Sequence, residues 1–315
     1  MITNLPTNED FEKLGKSCLV QAFDIVFETD KAIFDFGEES VQKDVWAYSQ
    51  GKLNTAVVLI HQAIEAFMKA SICLTSPYLL LDGKRTDWPV LPNQKNKDFN
   101  DFYTTPAESL LRTYAATAKS PPSTEIVEHV EAIRTLRNQI VHGISRTELT
   151  PKRLVGEILD TFYYFLGVDA WWDALLSEHI NHPLAEYYDL GVQLAEFPER
   201  LDYVEASVGK AKLAKQFTQN IKARRYICPY CKHLWEEEMA DEYSYWWAFL
   251  ENGNKENPYV FCINCNVDSP IKRDECYYTA CKGSVIFYGE APEDIICLTC
   301  GQVQFAGSEA EDVAR

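Results

Sequence analysis

Apolar residues at three-and-four spacing run through the first two thirds of the chain and predict a helical bundle. The clearest stretch is Glu125 to Arg146, where Ile126, Val127, Val130, Ile133, Leu136, Ile140 and Val141 form one stripe. Pro121, Pro122, Ser123 and Thr124 supply its start signal, and Gly143, just past His142, supplies its stop. Upstream, Asn8 to Asp30 reads as a helix with Phe11, Leu14, Cys18, Leu19, Phe23 and Val26 on its apolar side. A second helical run starts near Ser40, and after Gly51 the segment Leu53 to Cys73 reads as a strongly apolar helix. Cys18 and Cys73 stand alone and read as small buried apolar residues. Pro77 to Thr105, rich in Pro, Asn and Asp, reads as a long irregular loop. Pro106 to Thr117 predicts a short helix. Thr150 and Pro151 open another through Phe162, Tyr163, Tyr164, Phe165 and Leu166 toward Trp171 and Trp172, and Asn181 to Tyr203 predicts one more.

Chemistry enters near the end of the central stripe. Arg137, Asn138 and His142 share its last two turns. At 100° per residue Asn138 and His142 are one turn apart, and Arg137 stands about 140° from His142. A surface arginine and a C-terminal histidine favoured by the helix dipole would look the same. The residues RNQIVHG, however, resemble the Arg-polar-x-x-x-His signature of the HEPN superfamily, small helical domains found in many prokaryotic toxins and antiviral ribonucleases. HQAIEAFMKA, residues 61–70, looks like the second helix of that family, which would let Glu65 approach the Arg/His pair; a satisfied helix-surface carboxylate is the alternative and the preferred reading. His61 lies one turn from Glu65, and a structural hydrogen bond is expected between them.

The resemblance implies a metal-independent endoribonuclease that leaves a 2′,3′-cyclic phosphate. It also implies a two-fold homodimer in which two Arg/His motifs face each other across one cleft. His142 would relay a proton, Arg137 would offer a fixed positive fork to phosphate oxygens, and Asn138 would support them. Many toxins of this family carry a tyrosine two residues past the histidine, modified by a partner enzyme. Here that position is Ile144, so regulation by that route is not expected.

A 315-residue chain that is 46% hydrophobic has room for two domains with proper cores. No run of some eighteen uninterrupted apolar residues occurs, and MITNLPTNEDF lacks a secretory pattern, so a cytoplasmic protein without membrane attachment is expected. A net charge of −17 argues against unspecific coating of nucleic acid. The exception is local. Between Ala206 and Trp235, Lys210, Lys212, Lys215, Lys222, Arg224, Arg225 and Lys232 occur with no Asp or Glu among them. This run reads either as a solvated helical connector or as an RNA-binding strip, with Phe217, Tyr226 and Tyr230 available for stacking. His179-x-x-His182 has a metal-compatible spacing but lacks a third ligand in register, and is read as a helix end.

Eight of the ten cysteines fall after residue 227, as Cys228/Cys231, Cys262/Cys265, Cys276/Cys281 and Cys297/Cys300. Two such turns complete a closed four-sulfur site, so four pairs imply two Zn²⁺. Disulfides are the alternative, disfavoured in a chain without a secretory signal. Sequential pairing is preferred: the first two pairs hold one ion and the last two hold the other. A nested arrangement, with Cys262, Cys265, Cys276 and Cys281 around an inner ion, is the rival. His233, near Cys231, is a substitute ligand that the count does not require. With every position a thiolate, both ions would be structural, with no catalytic metal.

The expected architecture is therefore mainly α: a HEPN-like helical bundle over 1–185, a helical basic connector over 186–225, and two small β-rich zinc ribbons over 226–315. Two functional readings follow. One is an endoribonuclease, a toxin or antiviral effector, whose zinc ribbons recognise RNA or a protein trigger or regulator. The other is a noncatalytic adaptor that dimerises through the bundle and docks a protein or nucleic-acid partner.

Overall fold

The computed structural model describes residues 1–34, 39–90, 94–143, 148–180, 190–237, 246–251, 258–291 and 294–304. It is mainly helical, with a C-terminal antiparallel sheet region. The chain divides into two compact units, Met1–Glu178 and His179–Arg315.

The first unit is built on α1 (Asn8–Phe34) and α2 (Glu39–Thr75), which pack along each other. Leu19, Phe23 and Val26 of α1 and Leu53, Val57, Ile60 and Ile64 of α2 are fully buried. Gly15 allows the close approach, because a Cβ there would run into the Phe67 ring. By length and composition α2 could cross a bilayer, but more than half of its apolar stretch is buried inside the unit, as in a core helix.

Gly51 does not break the chain into two helices, as its sequence position suggests; α2 runs straight through it. Its flanks explain this. Gln50 is anchored by its side chain to both backbone groups of Leu149, at 2.9 and 3.2 Å, and Leu53 is fully buried one turn on. Gly51 is exposed, and a Cβ would meet nothing within 4 Å. Gly51→Ala should therefore stabilise the unit by about 0.5–1 kcal/mol. Gly15→Ala should destabilise it by about 1–3 kcal/mol through overpacking against Phe67. Urea unfolding of the two variants should move in opposite directions.

The described residues of the segment 77–105 are more ordered than a loop. Three 3₁₀ turns (Pro77–Leu80, Arg85–Asp87, Phe99–Asp101) punctuate it, and Leu80 and Phe99 are buried. Two short strands, β1 (Ile2–Thr3) and β2 (Lys97–Asp98), pair in parallel and tie its end to the chain start. After α3 (Ala107–Thr117) comes the central helix, α4 (Thr124–His142), capped by Ser123, whose hydroxyl accepts from the Ile126 N–H at 3.4 Å, and ended at Gly143. Val130, Ile133 and Leu136 face the core. Buried His129 pins α4 to α5 (Pro151–Leu166), meeting Thr161 Oγ1 at 2.8 Å and the Glu157 carboxylate at 3.2 Å. The α6 helix (Ala170–Ile180) buries Trp171 and Trp172, so these aromatics are core.

In the second unit, α7 (Leu190–Val208), α8 (Lys210–Leu213) and a 3₁₀ turn lead into β3 (Arg225–Tyr226), α9 (Pro229–Glu237), β4 (Ala248–Glu251), β5 (Tyr259–Cys262), β6 (Asp268–Lys272), β7 (Ile286–Phe287) and β8 (Ile296–Cys297). The six strands β3 to β8 form one antiparallel sheet in sequence order. Just beyond β3, Ile227 N–H donates to Leu298 C=O at 2.9 Å, just beyond β8, joining the two ends. The two ribbons expected from sequence thus share one curved sheet and one core, with Tyr226, Ile227, Val260, Ile271, Val285 and Leu298. The stretch expected to be a connector belongs to this unit. Arg225 locks it: Nη2 meets Glu205 Oε2 at 2.6 Å, and the guanidinium lies 3.7 Å from the centre of the Trp247 ring.

Candidate active site and metal centres

Arg137, Asn138 and His142 come together at the C-terminal end of α4. The backbone places Arg137 and His142 on different sides, and the length of the arginine side chain closes the gap. Its Nη1 lies 3.1 Å from Asn138 Oδ1, to which it donates, and 3.5 Å from His142 Nε2. Asn138 thus steers the guanidinium toward the imidazole. His142 is exposed and Val141 beside it is 48% exposed, whereas Arg137 is half-buried with its Nε enclosed and without a hydrogen-bond partner among the described residues. Ile144 falls outside the described residues.

The other side of Arg137 lines a pocket of about 270 Å³ with Phe11, Leu14, His61, Glu65 and Lys69. Glu65 does reach the neighbourhood of Arg137. Its expected hydrogen bond to His61 is not formed: Nδ1 to Oε1 is 3.8 Å, and the other carboxylate oxygen lies 3.8 Å from Lys69. A straight helix offers the carboxylate two partners, one turn before and one turn after, and it sits between them. His61 itself is held below its ordinary pKa of 6.5, chiefly by burial, with Arg137, Arg134 and Lys69 adding to the depression and Glu65 opposing it.

This depression has a consequence for stability. Below pH 6.5 the unfolded chain takes up a proton that the folded imidazole resists, so protonation favours unfolding. The His61 contribution should be fully present above pH 6.5 and be lost as pH falls through the depressed folded value. Thermal melts of the wild type and His61→Gln should diverge in their pH dependence in that acid range, and parallel curves would overturn the assignment.

The lone thiols are set apart from chemistry. Burial raises the Cys18 pKa and pushes that of Cys73 up to about 11. His179 sits edge-on to Phe197 at 5.5 Å, and its expected companion His182 lies outside the described residues.

The basic run is dispersed rather than laid on one helix. Lys210 and Lys212 are on α8, Lys215 is in the 3₁₀ turn, and Lys222 and Arg224 are exposed in the segment just before β3. Arg225 is committed to Glu205, Asp202 and Trp247.

The eight clustered cysteines form two four-sulfur groups, Cys228/Cys231/Cys262/Cys265 and Cys276/Cys281/Cys297/Cys300. This is the sequential grouping, not the nested one. Within each group all sulfurs lie within 4.8 Å of one another. Cross-pair separations are 3.7 Å for Cys228–Cys265, 3.8 Å for Cys231–Cys262, 3.7 Å for Cys276–Cys300 and 4.0 Å for Cys281–Cys297. A tetrahedron with Zn–S bonds of about 2.3 Å has edges of about 3.8 Å, so the cages fit that ion, and the separations are far beyond a disulfide bond of about 2.05 Å. N–H groups point at the sulfurs as thiolates require: Cys231 N to Cys228 Sγ at 3.4 Å and Gly283 N to Cys281 Sγ at 3.3 Å. Buried Asn264 donates its amide to Cys231 Sγ at 3.4 Å, a supporting contact that the sequence reading missed. The only signal for it was a polar residue inside the Cys262-x-x-Cys265 turn. His233 is exposed and stands outside both groups.

No family model, no curated protein and no solved structure matches this chain.

Proposed function

We propose that the chain is an endoribonuclease of the HEPN type, acting at the Arg137/Asn138/His142 site without a catalytic metal, with two structural Zn²⁺ in its four-cysteine cages. The observation that carries this reading is the 3.5 Å approach of Arg137 Nη1 to His142 Nε2 at an exposed helix end, with Asn138 orienting the guanidinium. In RNA, the 2′-oxygen attacks its neighbouring phosphorus as His142 Nε2 takes the 2′-hydroxyl proton. The P–O5′ bond breaks, a proton from the second copy's site or solvent completes the 5′-hydroxyl, and a 2′,3′-cyclic phosphate remains. The Arg137 fork faces the charge that grows on the phosphate oxygens. Exposed Val141 beside His142 gives a second copy an apolar edge to cover, consistent with a homodimer whose two motifs form one cleft. A toxin or antiviral role, under a protein trigger or regulator, follows from the same resemblance.

The deciding experiment is digestion of labelled total RNA with EDTA present, followed by end analysis. Cyclic-phosphate 3′ ends and 5′-hydroxyls are expected. Products with 3′-hydroxyls, or cutting that stops with EDTA while the zinc content is unchanged, would sink the mechanism.

The adaptor reading draws on a groove of about 560 Å³ on the second unit, lined by Tyr230, Pro270 and Phe287 with charges of both signs at its rim. Absence of cleavage by dimeric, zinc-loaded protein on every RNA tested, together with capture of a discrete partner, would favour it.

A further inference from the structure

The basic character of the second unit gathers around the Cys297–Cys300 turn. Arg224 Nη2 lies 3.5 Å from Thr299 Oγ1, and the guanidinium is 5.4 Å from the centre of the Tyr226 ring. Gly283 abuts the same threonine, since a Cβ there would come within 2.6 Å of it. This brings exposed Lys282 alongside, together with Arg273, which donates to Ser284 Oγ at 3.3 Å. The stem of Lys232 passes beside Gly301, and exposed Lys222 precedes Arg224 by two residues. The acidic members are Asp274 and Glu275, and Asp274 accepts the backbone N–H of Glu275. Lys232 is set aside, since it also lines a groove with Asp268, Glu290 and Asp294. Four cations then stand against two carboxylates among the described residues of this face, a reversal in a chain with 47 acidic and 30 basic residues.

Two aromatic rings stand in this field. Tyr277 and Tyr278 are 54% and 43% exposed, on the loop between Cys276 and Cys281. That loop is held at both ends: Cys276 N–H donates to Gly283 C=O at 3.0 Å, Cys281 N–H to Tyr278 C=O at 2.8 Å, and Tyr277 N–H to Gln304 Oε1 at 2.7 Å. Cys276 Sγ is 3.7 Å from Cys300 Sγ, so the loop that carries the two tyrosines starts beside the basic turn. Rings already fixed and exposed lose little freedom when a base stacks on them, and cations beside them meet the phosphates between bases.

We propose that this face binds single-stranded nucleic acid, with bases stacked on Tyr277 and Tyr278 and the backbone on Lys222, Arg224, Arg273 and Lys282. The choice of RNA over DNA rests on the function proposed above; the rest does not. A duplex would hide its bases from the rings, and an acidic polypeptide would satisfy the cations but leave the rings unused.

The test is fluorescence anisotropy on the full zinc-loaded chain carrying His142→Ala, so that the probe survives. The probes are a labelled 16-nucleotide RNA, its duplex and the matching DNA strand, with polyglutamate as competitor. Tyr277→Ala/Tyr278→Ala should weaken single-strand binding about tenfold or more. Lys222→Gln/Lys282→Gln, whose side chains are exposed and leave the packing intact, should flatten the dependence of log K on log salt by about 1.4. Zinc content equal to wild type shows that each variant is folded. Unchanged affinity in the tyrosine variant, equal binding of the duplex, or equally effective competition by polyglutamate would overturn the face. Equal binding of the DNA strand would overturn the restriction to RNA. Cleavage is read separately with His142 restored. Tyrosine-dependent binding in a protein that never cuts leaves the face standing without the nuclease, and cutting without tyrosine dependence does the reverse.

Discussion

Replacing His142 with alanine should lower RNA cleavage about 10²–10⁴-fold, the usual contribution of a positioned proton-transfer group. The fold should not change, because His142 is the exposed last residue of α4 and no core contact depends on it. Substrate affinity should also persist, so the loss falls on kcat rather than KM. Arg137→Lys adds a finer test. An ammonium keeps the charge but cannot fork onto Asn138 and the phosphate together, so activity should fall well below wild type despite the conserved charge. Asn138→Ala should act in the same direction and more weakly, since it frees the guanidinium without removing it. Single-turnover cleavage of a labelled RNA measures all three. Equal rates in the wild type and His142→Ala would remove the catalytic assignment, and full activity in Arg137→Lys would mean that charge alone suffices.

Helix ends marked by local chemistry were readable from the sequence. Ser123 and Gly143 bound α4, and Thr150 with Pro151 opens α5, because caps act within a turn of the residues they end. Gly51 misled for the same reason: its local cost is real, but buried neighbours and the Gln50–Leu149 clamp outweigh it, and those are tertiary. The cysteine pairs were readable from their spacing, but their grouping was only a preference: the two pairs nearest in sequence, Cys262/Cys265 and Cys276/Cys281, belong to different groups, and the fold decides between the arrangements. What could not be read is the joining of the ribbons, since the Ile227–Leu298 contact connects distant residues of no special type. Arg225 shows the limit for charge. In the sequence it is one of a basic run, while in the fold Glu205 and Trp247 claim it, and Lys210, Lys215, Lys222 and Arg224 are the exposed members.

That joining sets the second large effect. If the two cages were independent ribbons, Cys262→Ser would cost one ion and leave the other in place. The structure argues for loss of both. Cys262 ends β5, which pairs with β6; β6 pairs with β7 and β7 with β8, which carries Cys297 of the second cage. Cys228, Cys231 and Cys262 of the first cage are buried in the same core as Val285, Ile296 and Leu298 around the second. Zinc binding to such a cage stabilises the folded state by an apparent ~10–16 kcal/mol, comparable to the whole stability of a domain, ~5–15 kcal/mol. A sheet that loses one ion should therefore unfold through both cages. Metal analysis should give two ions per chain for the wild type and well under one for Cys262→Ser. Chelation should release both ions in one transition. The helical signal of the first unit should outlast it, since among the described residues that unit holds no comparable cluster. One ion retained in Cys262→Ser, or stepwise release with two separate midpoints, would show that the cages stand alone despite the shared core.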